Sequence, residues 1–371
     1  MPLKMCFFPK YFILILFIAT LLFQITLSAQ SNWFKKQTAY VKIINYKEQS
    51  YLSDEILTGA RISLRKLDSI FNYVPTEKII INTYDYSDYG YAATTTIPED
   101  LIRLEIEPLE LAYENIPIKH RIKWLLSHEL VHIIVNDQAT NIEKTARSLF
   151  GRVTPEQEQP LTVLYSLLTN FNRYSPTWYQ EGIAVFMETW ENGGYGRVLG
   201  NFDEMYFRSM VNVNKRFPSL DAIDSQLNVL SFLQGDIFYL YGERFCTYLA
   251  IKYGTTKLIN WYRNQPGEFY ENYSRKFKEV FGVDLTLAWQ NFIQNEISFQ
   301  TENIMRIKKG ELTKVKRLTR KPVGWITKAH YDPSGNFILY GYDSPGQLAG
   351  IGELNLNNKK FKKISTLPTP S

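Results

Sequence analysis

One short stretch constrains this chain more than any other: Ser127-His128-Glu129-Leu130-Val131-His132, set in a run from 118 to 135 that contains neither Gly nor Pro. Ile122, Leu125, Leu126, Leu130, Ile133 and Ile134 recur there at the spacing of a buried helix. On a helix, histidines four apart project from one face, so both imidazoles can reach a single metal ion, and the glutamate between them stands beside it as a base. Two of the four histidines in the chain lie in this motif. A core must therefore form around a helix that also carries ionisable groups.

The rest of the chain supplies a setting. Before the motif, residues 39–44 read as a strand, 53–71 as an amphipathic helix and 78–82 as a second strand, a small mixed layer. Residues 89–94 and 101–106 flank the turn-forming Pro98-Glu99-Asp100 and are expected to pair. From 141 to about 305 helical runs dominate, broken at Pro155, Pro176, Gly193-Gly194 and Pro218. The expected class is α+β.

A third protein ligand is needed because a catalytic zinc takes three side chains and leaves a position open. The best candidate follows Pro176, in Trp178-Tyr179-Gln180-Glu181-Gly182-Ile183-Ala184, where Gly182 and Ala184 leave room for helices to approach closely. With Cys6 and Cys246 the only cysteines, and Cys6 inside the N-terminal leader, a catalytic zinc site is favoured over a closed structural one, and the mature chain cannot form an internal disulfide. Cys246 reads as a buried structural thiol.

These segments resemble the gluzincins, the peptidase MA-like zinc peptidases, in which a tryptophan shortly precedes Glu-Gly-x-Ala. The resemblance implies Zn2+ as cofactor, His128, His132 and Glu181 as its ligands, Glu129 as general base and Glu188 as a carboxylate supporting the ligands. It also implies that residues 239–254 match the helix following the zinc site, with Tyr241 donating to an oxyanion. The chain departs from the compact members in the 49-position separation of Glu181 from His132, so 136–175 is expected to hold an insertion that could serve as lid or cleft wall. The Gly-x-Met-Glu-Asn segment of the aminopeptidase branch is absent, which favours an endopeptidase, or an uncharacterised specificity, acting on a peptide or protein. His120 and His330 are expected to be bystanders.

Residues 1–29 have the grammar of a signal peptide: Lys4 and Lys10, an apolar run over 11–23, then Thr26, Ser28 and Ala29. Export to the periplasm, cell envelope or medium is expected, with membrane attachment only if that segment stays uncleaved. Residues 30–305 form the peptidase-like domain and 306–322 a basic linker. Residues 323–371 carry short strands separated by turns, resembling the start of a TolB-type β-propeller, so the chain is expected to continue and to offer a protein-binding surface there. The net charge of +5 includes the leader and the linker, leaving a nearly neutral body that argues against nucleic acid. The competing expectations are a non-catalytic peptidase-like scaffold and a zinc amidase acting on the cell wall.

Overall fold

The computed structural model describes residues 32–86, 90–106, 120–224, 237–263, 272–319, 324–344 and 347–367. The signal-peptide expectation for 1–29 lies outside these, as do Tyr89 and residues 320–322 of the expected linker. Among the described residues no helix is long and apolar enough to cross a membrane.

A five-stranded sheet forms the first layer, with spatial order β1-β2-β3-β5-β4: β1 (Trp33–Gln37), β2 (Val41–Tyr46), β3 (Ile79–Tyr84), β4 (Ala92–Thr95) and β5 (Leu101–Glu105). Strict alternation in β2 and β3 buries Val41, Ile43, Ile79 and Ile81 on one face. The two strands are parallel, as a crossover requires, and α1 (Ser53–Phe71) supplies it by packing Ile56, Ala60, Leu67 and Phe71 inward. The expected pair, β4 and β5, is antiparallel, with Thr94 opposite Ile102. β1 was not expected, because Trp-Phe-Lys-Lys-Gln does not alternate; it pairs antiparallel at the other edge, its lysines suited to an exposed margin.

Helix α2 (Arg121–Asp137) carries the motif and starts three residues later than the apolar run suggests; His120, exposed and extended, precedes it. Every residue from Trp124 to Asp137 is buried, since α1 covers one side and α5 (Thr177–Glu191) another. The expected insertion is helical: α3 (Asn141–Phe150), closed by a Thr140/Glu143 capping box, then α4 (Pro160–Thr169) and a 3-10 turn, Phe171–Tyr174. Its root is tied to the end of α2, where Asp137 receives Tyr73 Oη at 2.6 Å, Arg147 Nη1 at 2.8 Å and Arg152 Nη1 at 3.2 Å. At its far end Arg173 Nη1 donates to Thr95 Oγ1 at 2.8 Å, so the insertion borders the end of β4.

The remaining helices, α6 (Asn201–Asn212), α7 (Leu220–Asp224), α8 (Ile237–Tyr253), α9 (Thr255–Tyr262), α10 (Tyr273–Phe281) and α11 (Leu285–Lys308), enclose an aromatic core. Trp178, Phe245, Trp261, Phe277, Trp289 and Phe292 meet there in tilted and edge-on pairs. α5 and α8 cross at two glycines. A Cβ on Gly182 would stand 2.6 Å from the Gly242 carbonyl carbon, and one on Gly242 only 2.3 Å from the Trp178 carbonyl oxygen. The close approach expected at Gly182 is thus made with α8. Cys246 is buried and free, its thiol pushed up to about 12 by burial.

Helix α11 runs three residues past the expected boundary at 305, and residues 311–319 carry neither helix nor strand. Beyond them β6 (Trp325–Asp332), β7 (Phe337–Asp343), β8 (Gly350–Asn355) and β9 (Phe361–Thr366) form an antiparallel meander in chain order. β6 extends further than expected, with the turn confined to 333–336, where Asp332 Oδ1 accepts from Ser334 N at 2.8 Å. The fourth strand, β9, was not expected: all six of its residues are exposed, so no apolar alternation marks it.

Candidate metal centre

Residues 128 and 132 fall on the face of α2 that meets α5, and there they converge with Glu181. His128 Nε2 lies 3.2 Å from His132 Nε2, and each stands 3.2 Å from Glu181 Oε2. The three donors thus form a nearly equilateral triangle, and among the described residues they are the group of His, Cys and carboxylate side chains that could hold a metal ion. Its size suits zinc, because bonds of about 2.0–2.1 Å in a tetrahedron place neighbouring donors about 3.3 Å apart. Two imidazoles and one carboxylate are a donor set that a divalent metal such as zinc can take.

The histidine tautomer follows from the partner behind the ring. His128 Nδ1 stands 2.8 Å from Glu188 Oε2, and a carboxylate can only accept, so Nδ1 carries the hydrogen and Nε2 keeps its lone pair for a metal. Burial alone would push His128 down; the hydrogen bonds to Glu181 and Glu188 outweigh it and raise the imidazole to about 9 when a proton rather than a metal fills the triangle. Burial likewise works against ionised Glu181, but His132 and His128 outweigh it and hold the carboxyl below its ordinary range. Glu188 thus lies directly behind the His128 ring.

Glu129, one residue on, turns toward the sheet. Its Oε2 accepts from Thr94 Oγ1 at 2.6 Å, and the same hydroxyl lies 3.3 Å from the Glu129 carbonyl oxygen, so edge strand β4 is fastened beside the motif. Two amide contacts lock α2 against α5 on either side of the ligands. Asn136 Nδ2 donates to Gln180 Oε1 at 3.1 Å, and Asn192 Nδ2 donates to Ser127 Oγ at 2.9 Å.

Tyr241 is not brought to this centre. It is fully buried in the aromatic core, its ring 5.1 Å from that of Phe207 and 6.2 Å from that of Trp289, its hydroxyl 3.3 Å from that of Tyr206. The reason is the phase of α8. Gly242 faces α5, so the residue three before it, Tyr239, shares that face, whereas Tyr241 is rotated about 100° away. Tyr239 accordingly lies with its ring 6.3 Å from that of His128.

Arg197, Thr94 and Tyr239 escaped the sequence reading. Thr94 lay in an expected strand with nothing to mark its hydroxyl, and Arg197 lies beyond Gly193-Gly194, which read only as a helix break. The exposed His120 and His330 stand outside the centre, as expected. No family model matches the chain, and no curated protein matches it significantly.

Proposed function

We propose that the chain is an exported zinc metallopeptidase of the gluzincin type. One observation carries the reading: three donors 3.2 Å apart on two clamped helices, with Glu129 in the same motif held at the edge of the sheet. A zinc ion bound there supplies Lewis acidity to a scissile carbonyl and acidity to a water molecule.

The chain's own residues do the remainder. The Glu129 carboxylate takes the proton of the attacking water and delivers it to the departing amine. Thr94, by donating to Glu129 Oε2, aims that carboxylate and leaves Oε1 for the proton. The outer edge of β4, where no strand pairs among the described residues, offers backbone groups on which an extended peptide can add as a further strand. Proximity of this edge to Glu129 would set the scissile bond beside the base. The C-terminal meander reads as one propeller blade and would serve binding of a protein partner rather than chemistry.

The test compares zinc content and casein cleavage for the purified chain and for Glu129→Gln. Both should bind one zinc, with cleavage falling about 10²–10⁴-fold or more in the variant. A parent that binds zinc and cleaves neither casein nor mixed peptides would leave a scaffold or an amidase as the better reading.

A further inference from the structure

The connection after α5 places an arginine beneath the metal centre. Gly193 and Gly194 adopt φ of +70° and +91°, reversing the chain. Gly196 then lies flat on α5, where a Cβ would stand 2.2 Å from Thr189 Oγ1 and 2.7 Å from its Cα. Thr189 Oγ1 in turn accepts from Val198 N at 3.3 Å, pinning the turn. Between these anchors Arg197 projects into the protein and is only 7% exposed.

Its guanidinium grips Glu188 with both edges of the fork: Nε donates to Oε1 at 2.9 Å and Nη2 to Oε2 at 2.7 Å, while the Arg197 backbone N–H adds a contact to Oε1 at 3.3 Å. Nη2 also lies 3.0 Å from His128 Nδ1, and the guanidinium carbon stands 5.3 Å from the Trp124 ring centre and 5.1 Å from that of Tyr239. Glu188 is fully buried, yet Arg197 outweighs the cost of burial and holds the carboxyl down at about 2.

We propose that Arg197 is a positioning residue of the metal centre, a buried counter-charge that fixes Glu188 so that Glu188 fixes the His128 ring for zinc. This rests on the reading of His128, His132 and Glu181 as a zinc site and extends it to a turn outside the motif helices. Arg197 acts on the centre from behind the ligands, chiefly through the Glu188 carboxylate and beside its own 3.0 Å approach to His128 Nδ1.

Zinc affinity, measured by chelator competition on the purified chain, tests the proposal. Arg197→Met should weaken binding about 10–100-fold, the range found for partners of metal-bound histidines, and Arg197→Lys should recover part of the loss. Gly196→Ala, which displaces the turn but keeps the arginine, should also weaken it. In a Glu188→Gln background Arg197→Met should add little, because the group through which it acts has already been changed. Cobalt(II) in place of zinc gives a readout that packing alone would not move: its visible spectrum should change shape in Arg197→Met at full occupancy. If Arg197→Met fails to fold, the cycle is run with Arg197→Lys. Losses that simply add across the cycle, or a folded Arg197→Met with parental affinity and cobalt spectrum, overturn the proposal while leaving the zinc site standing. A parent chain that binds no zinc overturns both.

Discussion

Helix α5 buries two glutamates three residues apart and treats them in opposite ways. On the side of the metal centre, Glu188 is gripped by Arg197 and by His128, and its carboxyl is held at about 2. On the side facing α1, Glu191 is only 4% exposed, and among the described residues neither carboxyl oxygen is held by a well-placed donor. Burial pushes it up to about 8, with Ser63, Lys66 and Lys123 offsetting only part of the effect. Burial of a carboxyl is therefore no guide to its charge; a fixed donor within reach decides it. The ionised glutamate lies where a cation-binding site needs a rigid acceptor, and the proton-holding one lies where two helices only pack.

The sharpest way to break this contrast is to remove the gripped carboxylate. Glu188→Ala leaves Arg197 buried without its principal partner and should cost about 3–5 kcal/mol of stability, seen as a lowered urea midpoint, together with weaker zinc binding. A variant as stable as the parent would mean that the pair is not the fixed element described above. Gly242→Ala asks whether the packed side is equally intolerant. The added methyl has to meet the Trp178 carbonyl at 2.3 Å, so thermal unfolding should report a loss of at least about 1–3 kcal/mol.

Glu191→Gln tests the other glutamate through pH. A carboxyl at about 8 in the folded chain against an ordinary 4.5 binds more protons folded than unfolded between those values. Its stabilising contribution is complete below 4.5 and is lost as pH rises through 8, at about 1.4 kcal/mol per unit of pKa difference. Urea midpoints should show Glu191→Gln gaining on the parent between pH 5 and pH 8.5, by about 1–3 kcal/mol once solvent relaxation is allowed for. Equal pH slopes for the two proteins would mean that Glu191 ionises in the folded chain as readily as in the unfolded one. The smallest expected effect is that of Tyr241→Phe on zinc affinity and turnover, within about twofold, with stability lower by about 0.5–1.5 kcal/mol for the lost Tyr206 contact. A large loss of turnover at unchanged stability would restore Tyr241 to the centre.

Most of the layout was legible because it rests on local patterns. Strict alternation marked β2 and β3, an amphipathic period marked α1, and a Gly/Pro-free apolar run marked α2. β1 and β9 were missed because neither buries an apolar face, β1 only half-burying Phe34 and Lys36 and β9 exposing all six residues, so pairing rather than burial defines them. In the site, His128 and His132 were legible from helical spacing alone, whereas Glu181 needed a second motif. Tyr241 was misplaced because an aromatic-rich helix offers tyrosines at every phase, and only the Gly182–Gly242 crossing sets which of them turns inward.

The sequence by itself determined the chemistry available: two imidazoles at fixed helical spacing with a carboxylate between them, only two cysteines, and glycines where helices can touch. Those are consequences of covalent order and of the 3.6-residue period. Tertiary structure alone decided which charges meet. Arg197 reaches Glu188 across a glycine turn, Thr94 reaches Glu129 across the gap between sheet and helix, and the Glu191 carboxyl meets no comparably placed donor among the described residues. No local rule foresees these contacts, because electrostatic pairing acts through space over a few ångströms while the pattern of a sequence reports only its neighbours along the chain.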